Sequence, residues 1–229
     1  MTIDWSTIKD VTIPEGNVKK IAINGTTVWE KGALPTIYQA VEYIGNTGTQ
    51  YIKSGYIPTP SYSTRIDMQY MFTATQNGGK FLFGSRGGSS DITYQCDAYT
   101  GTKWYCGSGY NQFRSALKNV GTTLNTKYTF LINGNSMTIN GSSVSRTSTR
   151  TTGDPLEIYI FASNYNGKEK FINTGVRIYQ LKFTVDGTVE ADFVPCYRKS
   201  DNEAGMYDLI GRRFLTNAGT GTFTVGADI

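Results

Sequence analysis

From Ala40 onward the chain is a series of short apolar–polar alternations cut by clusters of Gly, Asn, Asp and Ser, and this pattern restricts it to an all-β fold. Thr64–Phe72 puts Ile66, Met68, Tyr70 and Phe72 on one face, the period of two that belongs to a half-buried strand. Lys80–Gly84 and Leu156–Phe161 are compact apolar strands. Tyr128–Asn133 turns at Gly134-Asn135 into Ser136–Ile139, pairing Ile132 with Met137 and Phe130 with Ile139 on a single face. The longest ladder is Val176–Val185, where Tyr179, Leu181, Phe183 and Val185 alternate with Gln180, Lys182 and Thr184. After it, a two-residue Asp186-Gly187 loop would set Phe183 against Glu190. A three-residue loop with Gly187 left-handed sets Phe183 opposite Val189, Leu181 opposite Ala191 and Tyr179 opposite Phe193, so the spacing predicts a type I turn with a G1 bulge. Residues 142–153 are polar and short, a loop or an edge strand. Only Thr36–Val41 could wind a helical turn or two.

Residues 1–32 read as a separate unit. Val18–Ile23 turns at Asn24-Gly25 into Thr26–Trp29, with Ile21 opposite Val28. A unit this small holds no core alone, so Trp5, Ile13, Ile21, Ile23, Val28 and Trp29 are the candidates for packing on another surface. The joint is Gly32-Ala33-Leu34-Pro35, and residues 33–229 form the main domain.

Composition removes whole classes of chemistry. The chain has no histidine, which excludes Ser-His and Cys-His nucleophile pairs and most catalytic zinc sites. Net charge is +4 with the basic residues scattered, no footprint for nucleic acid. No apolar run approaches the roughly 20 residues needed to cross a bilayer, and Met1–Ser6 lacks the basic and apolar regions of a signal peptide. The three cysteines cannot all pair within one chain. Cys96 and Cys106 lie on two arms of a hairpin: an odd loop sets them opposite one another, an even loop makes them miss by one. Buried, reduced thiols fit assembly in a reducing cytoplasm.

Near the end, Asp192-Phe-Val-Pro-Cys-Tyr-Arg-Lys-Ser-Asp-Asn-Glu-Ala-Gly-Met-Tyr-Asp-Leu-Ile-Gly-Arg-Arg-Phe-Leu-Thr-Asn-Ala-Gly-Thr-Gly-Thr-Phe223 reads as a strand stopped by Pro195, a charged loop, and a hairpin. In that hairpin Gly205–Ile210 turns at Gly211 into Arg213–Thr216. Phe193, Met206, Leu209 and Phe214 are its expected core positions. This block resembles the closing strands of LamG-like, concanavalin A-like jelly rolls in bacteriophage and prophage structural proteins of Gram-positive gut bacteria. Leu34-Pro-Thr-Ile-Tyr-Gln-Ala-Val-Glu-Tyr-Ile-Gly-Asn-Thr-Gly-Thr-Gln-Tyr-Ile52 is similar to the opening of the same domain. The resemblance implies a jelly-roll sandwich of two antiparallel sheets behind the small N-terminal hairpin.

The same jelly roll houses glucanases, which carry Glu-x-Asp-x-Glu along one strand. Here Glu190-Ala-Asp192 has no third acid and alternates against the expected core face, so both carboxylates are expected in solvent and no catalysis is expected. No cofactor is expected either. Relatives hold calcium at the sandwich rim, but Asp91, Asp97, Asp154, Asn164 and Asn166 show no ligand spacing and read as turn formers.

Carbohydrate binding is the activity whose chemistry is present. It needs an exposed aromatic to stack on a sugar and amide or guanidinium groups for the hydroxyls. Three segments carry that mixture: Gly84–Arg86, Tyr99 through Trp104 to Tyr110-Asn111, and Ala162–Gly167. In the family they lie on or beside the concave face. The candidate residues are Arg86, Tyr99, Trp104, Tyr110, Asn111, Asn164, Tyr165 and Asn166. The resemblance further implies a virion protein, head-decorating, head-fibre or tail-associated, whose partners are other virion proteins, copies of itself, as in a trimer, and a cell-surface glycan. A purely structural accessory role is the alternative.

Overall fold

The computed structural model describes residues 20–23, 26–30, 32–59, 61–75, 79–87, 92–99, 103–108, 112–117, 119–145 and 156–229. Strands β1 (Lys20–Ile23) and β2 (Thr26–Glu30) form a two-stranded sheet of their own. Ile23 pairs with Thr26 and Ala22 with Thr27, the register a two-residue turn gives; Asn24 and Gly25 lie outside the described residues. Beyond Ala22 a bulge leaves Val28 extra, so Ile21 faces Trp29 and not Val28.

The rest of the described chain is strands and turns, without a helix. In order come β3 (Tyr38–Ala40), β4 (Ile44–Asn46), β5 (Ile52–Lys53), β6 (Thr64–Phe72) and β7 (Gly79–Arg86). Next are β8 (Ile92–Tyr99), β9 (Lys103–Ser108), β10 (Gln112–Ala116), β11 (Lys127–Asn133), β12 (Ser136–Ile139) and β13 (Ser142–Ser145). Then follow β14 (Tyr159–Ile160), β15 (Ser163–Tyr165), β16 (Lys168–Lys170), β17 (Val176–Val185) and β18 (Thr188–Arg198). The chain closes with β19 (Glu203–Asp208), β20 (Arg213–Thr216) and β21 (Thr224–Val225).

Two sheets form a sandwich. The larger runs β13-β12-β11-β6-β17-β18-β19-β20, with β3, β4 and β21 along its margin. The smaller runs β10-β9-β8-β7-β14-β5, and β15 joins β7 in parallel. Apolar faces meet between them: Phe83 of β7 stands edge-on to Phe183 of β17 at 5.5 Å. Trp104 of β9 reaches Tyr70, Phe72 and Phe130 of the other sheet at 5.5, 6.1 and 6.0 Å, all within aromatic contact range. Ile66, Met68, Tyr70 and Phe72 are all buried, as their alternation requires. The pairs Ile132 with Met137 and Phe130 with Ile139 hold, and β13 is an edge strand. The hairpin of β19 and β20 pairs Gly205 with Thr216 and Asp208 with Arg213. Phe193 and Met206 are fully buried, while Leu209 and Phe214 are partly exposed.

Four expectations are corrected. The β17–β18 loop has two residues, with Asp186 (φ 49°) and Gly187 (φ 79°) both left-handed and Val185 paired with Thr188. The pattern survives because Glu190 bulges out, which sets Phe183 against Ala191 and Leu181 against Phe193. In β17 the residue Tyr179 is extra against β6, so Val176 and Ile178 face the core before the bulge, Leu181 and Phe183 after it, and Tyr179 faces outward. Pro195 does not stop its strand: Val194 and Cys196 keep register with Tyr207 and Gly205, and the Pro195 carbonyl accepts from Val41 N–H at 3.1 Å. Leu156–Phe161 supplies only β14, because Phe161 turns left-handed (φ 67°) to bond Leu82 and Asn173.

Cys96 and Cys106 are direct cross-strand partners, as the odd-loop register requires, and are buried thiols not joined by a disulfide. Cys196 is buried as well, and burial pushes its thiol up to about 12.

Candidate functional site

The structure divides the sequence candidates. Trp104 is fully buried, and its indole N–H donates to the Val120 carbonyl at 2.8 Å. It is a core residue: its large ring fills the space between β9 and β6, and its polar atom is satisfied inside, so it offers nothing to a ligand. Asn164 is also buried. Its Nδ2 donates to the Glu157 carbonyl at 3.0 Å and its Oδ1 accepts from Gly167 N–H at 2.8 Å, so it closes its own turn. Tyr99 ends β8 opposite Lys103. Tyr110 and Asn111 lie outside the described residues, as do Trp5 and Ile13. Ile21, Ile23, Val28 and Trp29 lie in the β1–β2 hairpin.

Arg86 and Tyr165 come together although 79 positions separate them, as parallel partners at the ends of β7 and β15. The Arg86 guanidinium carbon is 5.9 Å from the Tyr165 ring centre, and Lys170 Nζ approaches that ring to 4.2 Å. Asn166 is exposed beside them in a left-handed turn (φ 52°). Segments Gly84–Arg86 and Ala162–Gly167 thus meet, with two cations near one ring.

A better-formed concavity lies on the outer face of the large sheet. It is a groove of about 480 Å³ bordered by Gln69, Lys127, Tyr179, Gln180, Asp192 and Leu209. The bulge in β17 makes it: Tyr179 and Gln180 both point outward, where strict alternation would have sent one into the core. The Tyr179 ring meets Tyr43 edge-on at 5.4 Å, with Lys127 Nζ 4.1 Å from its centre. Arg177 lies over Tyr43 at 4.3 Å. Burial raises the Tyr179 hydroxyl above its ordinary value although Arg177 pulls it down, so the phenol is a neutral donor at neutral pH. On the floor, Gln180 and Gln69 are cross-strand partners, and neither amide is hydrogen-bonded to a protein group. Asp192 is ion-paired with Lys182 at 2.9 Å, with only 14% of its side chain exposed. Glu190 is half-buried too, its Oε2 accepting from Tyr56 O–H at 2.6 Å and Thr59 N–H at 3.3 Å. Neither acid stands free in solvent as the alternation implied, because the bulge turns Glu190 toward Tyr56.

The alternation pointed to Tyr179 as a core residue and so passed over this groove. The signal was present in the sequence: Val176 and Ile178 share one parity, Leu181, Phe183 and Val185 the other, and only an extra residue between them buries both sets. Among the described residues no group of three or more His, Cys, Asp or Glu side chains converges as a metal site would require; Asp91 and Asp154 lie outside them.

No protein-family model matches the chain, and no curated protein matches it either. Its fold is similar to that of a candidate carbohydrate-binding protein from Bacteroides ovatus, with a TM-score of 0.55 and 13% identity over 83% of this chain. This chain spans 62% of that protein. A sialidase from Trypanosoma rangeli overlaps 72% of this chain and 33% of its own at a TM-score of 0.40 and 12% identity. A mutant of it with trans-sialidase activity overlaps 52% and 20% at 0.39 and 14%. The Bacteroides likeness concerns architecture: the chain is an all-β sandwich of two sheets, consistent with a concanavalin A-like jelly roll.

Proposed function

We propose that the chain is a non-enzymatic, lectin-like module that holds carbohydrate in the groove beside Tyr179. The observation that carries this reading is the amide pair of Gln69 and Gln180 on the groove floor. Each amide offers an acceptor and two donor hydrogens, and adjacent sugar hydroxyls present the complementary set. Tyr179 and Leu209 supply the apolar flank that a pyranose face prefers, and the volume falls within the range of small-ligand sites. The Bacteroides ovatus protein of similar fold, itself a candidate carbohydrate binder, supports the same class of ligand. The Arg86–Tyr165 pair would offer a second surface of related chemistry on the small sheet.

The setting belongs to the same proposal. The similarity of Leu34–Ile52 and Asp192–Phe223 to phage structural jelly rolls supports an accessory virion protein, on the head or the tail, assembled in the host cytoplasm. Residues 1–32 would anchor it to other virion proteins or to copies of itself, as in a trimer, and many copies would turn weak glycan affinity into avidity.

The test is a glycan array read with wild type, Gln180→Ala, Tyr179→Ala and Tyr165→Ala. Loss of signal in the first two variants, with folding intact, is the expected result. Signal lost only in Tyr165→Ala would move the site to the small sheet. Silence on every glycan, with the protein present in purified particles by mass spectrometry, would leave the purely structural role; absence from particles would sink the virion setting.

A further inference from the structure

We infer that this groove accepts a linear, neutral oligosaccharide lying across the strands, with Gln69 and Gln180 at the junction of two subsites. This rests on the carbohydrate reading above. A second concavity of about 230 Å³, bordered by Asp67, Thr129, Leu131 and Thr138, shares both glutamines with the first. Together the two cross β12, β11, β6, β17 and β18, which are hydrogen-bonded neighbours in that order. Four steps of about 4.8 Å span roughly 19 Å, longer than a single sugar ring requires.

The two ends differ in chemistry. The first has the Tyr179 ring and Leu209, an apolar platform for one sugar. At the second, Thr138 Oγ1 shares a hydrogen bond with Ser143 Oγ at 2.8 Å, and Thr129 Oγ1 donates to Asn140 Oδ1 at 3.0 Å. Those hydroxyls retain acceptor capacity around Leu131, enough to follow a chain but not to anchor one. Among the described residues the two amides between them are the only ones that border both spaces, so they grip the units on either side of one linkage. Two of the bordering acids bring their own cations: Asp67 is held by two Arg65 nitrogens at 2.7 and 2.6 Å, Asp192 by Lys182 at 2.9 Å. A neutral sugar leaves those pairs in place, and Lys127 is already seated against the Tyr179 ring at 4.1 Å.

The experiment is calorimetric titration with gluco-, xylo- and N-acetylglucosamine oligomers, mono- to pentasaccharide, against wild type, Gln180→Ala and Leu131→Lys. Affinity is expected to rise about tenfold or more between mono- and tetrasaccharide in at least one series and then level off. Leu131→Lys, which fills only the second subsite, should keep disaccharide affinity and lose the gain with length; Gln180→Ala should weaken every length. Thermal melts of both variants confirm that they fold. Binding without length dependence overturns this inference and leaves the carbohydrate reading intact. Tighter binding of uronic acid oligomers than of neutral ones overturns the neutral class, and no binding by any series overturns both readings.

Discussion

Cys96 and Cys106 face each other across β8 and β9 with their sulfurs 3.2 Å apart, both buried and not joined by a disulfide. Direct cross-strand neighbours have Cβ spacings near those of a disulfide, so closing the bond requires little backbone movement. Oxidised glutathione should take up the two electrons and two protons, leave as two reduced molecules, and yield an intramolecular Cys96–Cys106 bond. Intact mass after denaturing alkylation should show a loss of two hydrogens and a single alkylated cysteine, Cys196. Three alkylated cysteines after prolonged oxidation would show that the pair cannot be reached or closed.

Trp104 and Tyr179 should behave oppositely when truncated. Trp104→Ala removes a fully buried ring that touches three aromatics of the facing sheet, and should cost about 3–5 kcal/mol in urea unfolding. Tyr179→Ala removes a side chain from the outer face and should cost about 1 kcal/mol while abolishing glycan signal. Equal destabilisation by the two would place Tyr179 back in the core.

The bulge at Glu190 has its own lock. Tyr56 O–H donates to the Glu190 carboxylate at 2.6 Å, so Tyr56→Phe should destabilise by about 1–3 kcal/mol with the m-value unchanged. Denaturant titration decides it. A neutral result would mean that Thr59 N–H and water satisfy the carboxylate equally well.

Alkali should weaken the fold. Burial lifts Cys196 from 9.0 and Tyr159 from 10.0, each to about 12. Both hold their protons more tightly folded than unfolded, so their contribution is complete below about pH 9 and is lost as pH rises toward 12. Urea midpoints should therefore fall steadily over that window, together with the appearance of tyrosinate absorbance. A flat profile across it would show that neither group is as buried as its neighbours make it.

Much of the architecture was readable because local pattern and pairing agree. Tyr128–Ile139 carries its register in a two-residue turn, and β6 buries each alternate residue. Pattern failed where one extra residue shifts the parity, at Val28, Tyr179 and Glu190. It failed again at Trp104, because a tryptophan among glycines and tyrosines has the same composition whether it stacks on a sugar or on Phe72. Arg86 and Tyr165 were legible as chemistry, while their proximity depends on the parallel joining of β15 to β7, which no turn in the sequence announces.

The extra residue in β17 also makes recognition separable from folding in an evolutionary sense. Deleting Tyr179 would bring Val176 and Ile178 into strict alternation with Leu181 and Phe183, so the core needs no residue there and a single codon serves the outer face alone. Substituting that codon costs the core nothing. New ligand preferences can therefore be sampled at position 179 without first acquiring stability elsewhere.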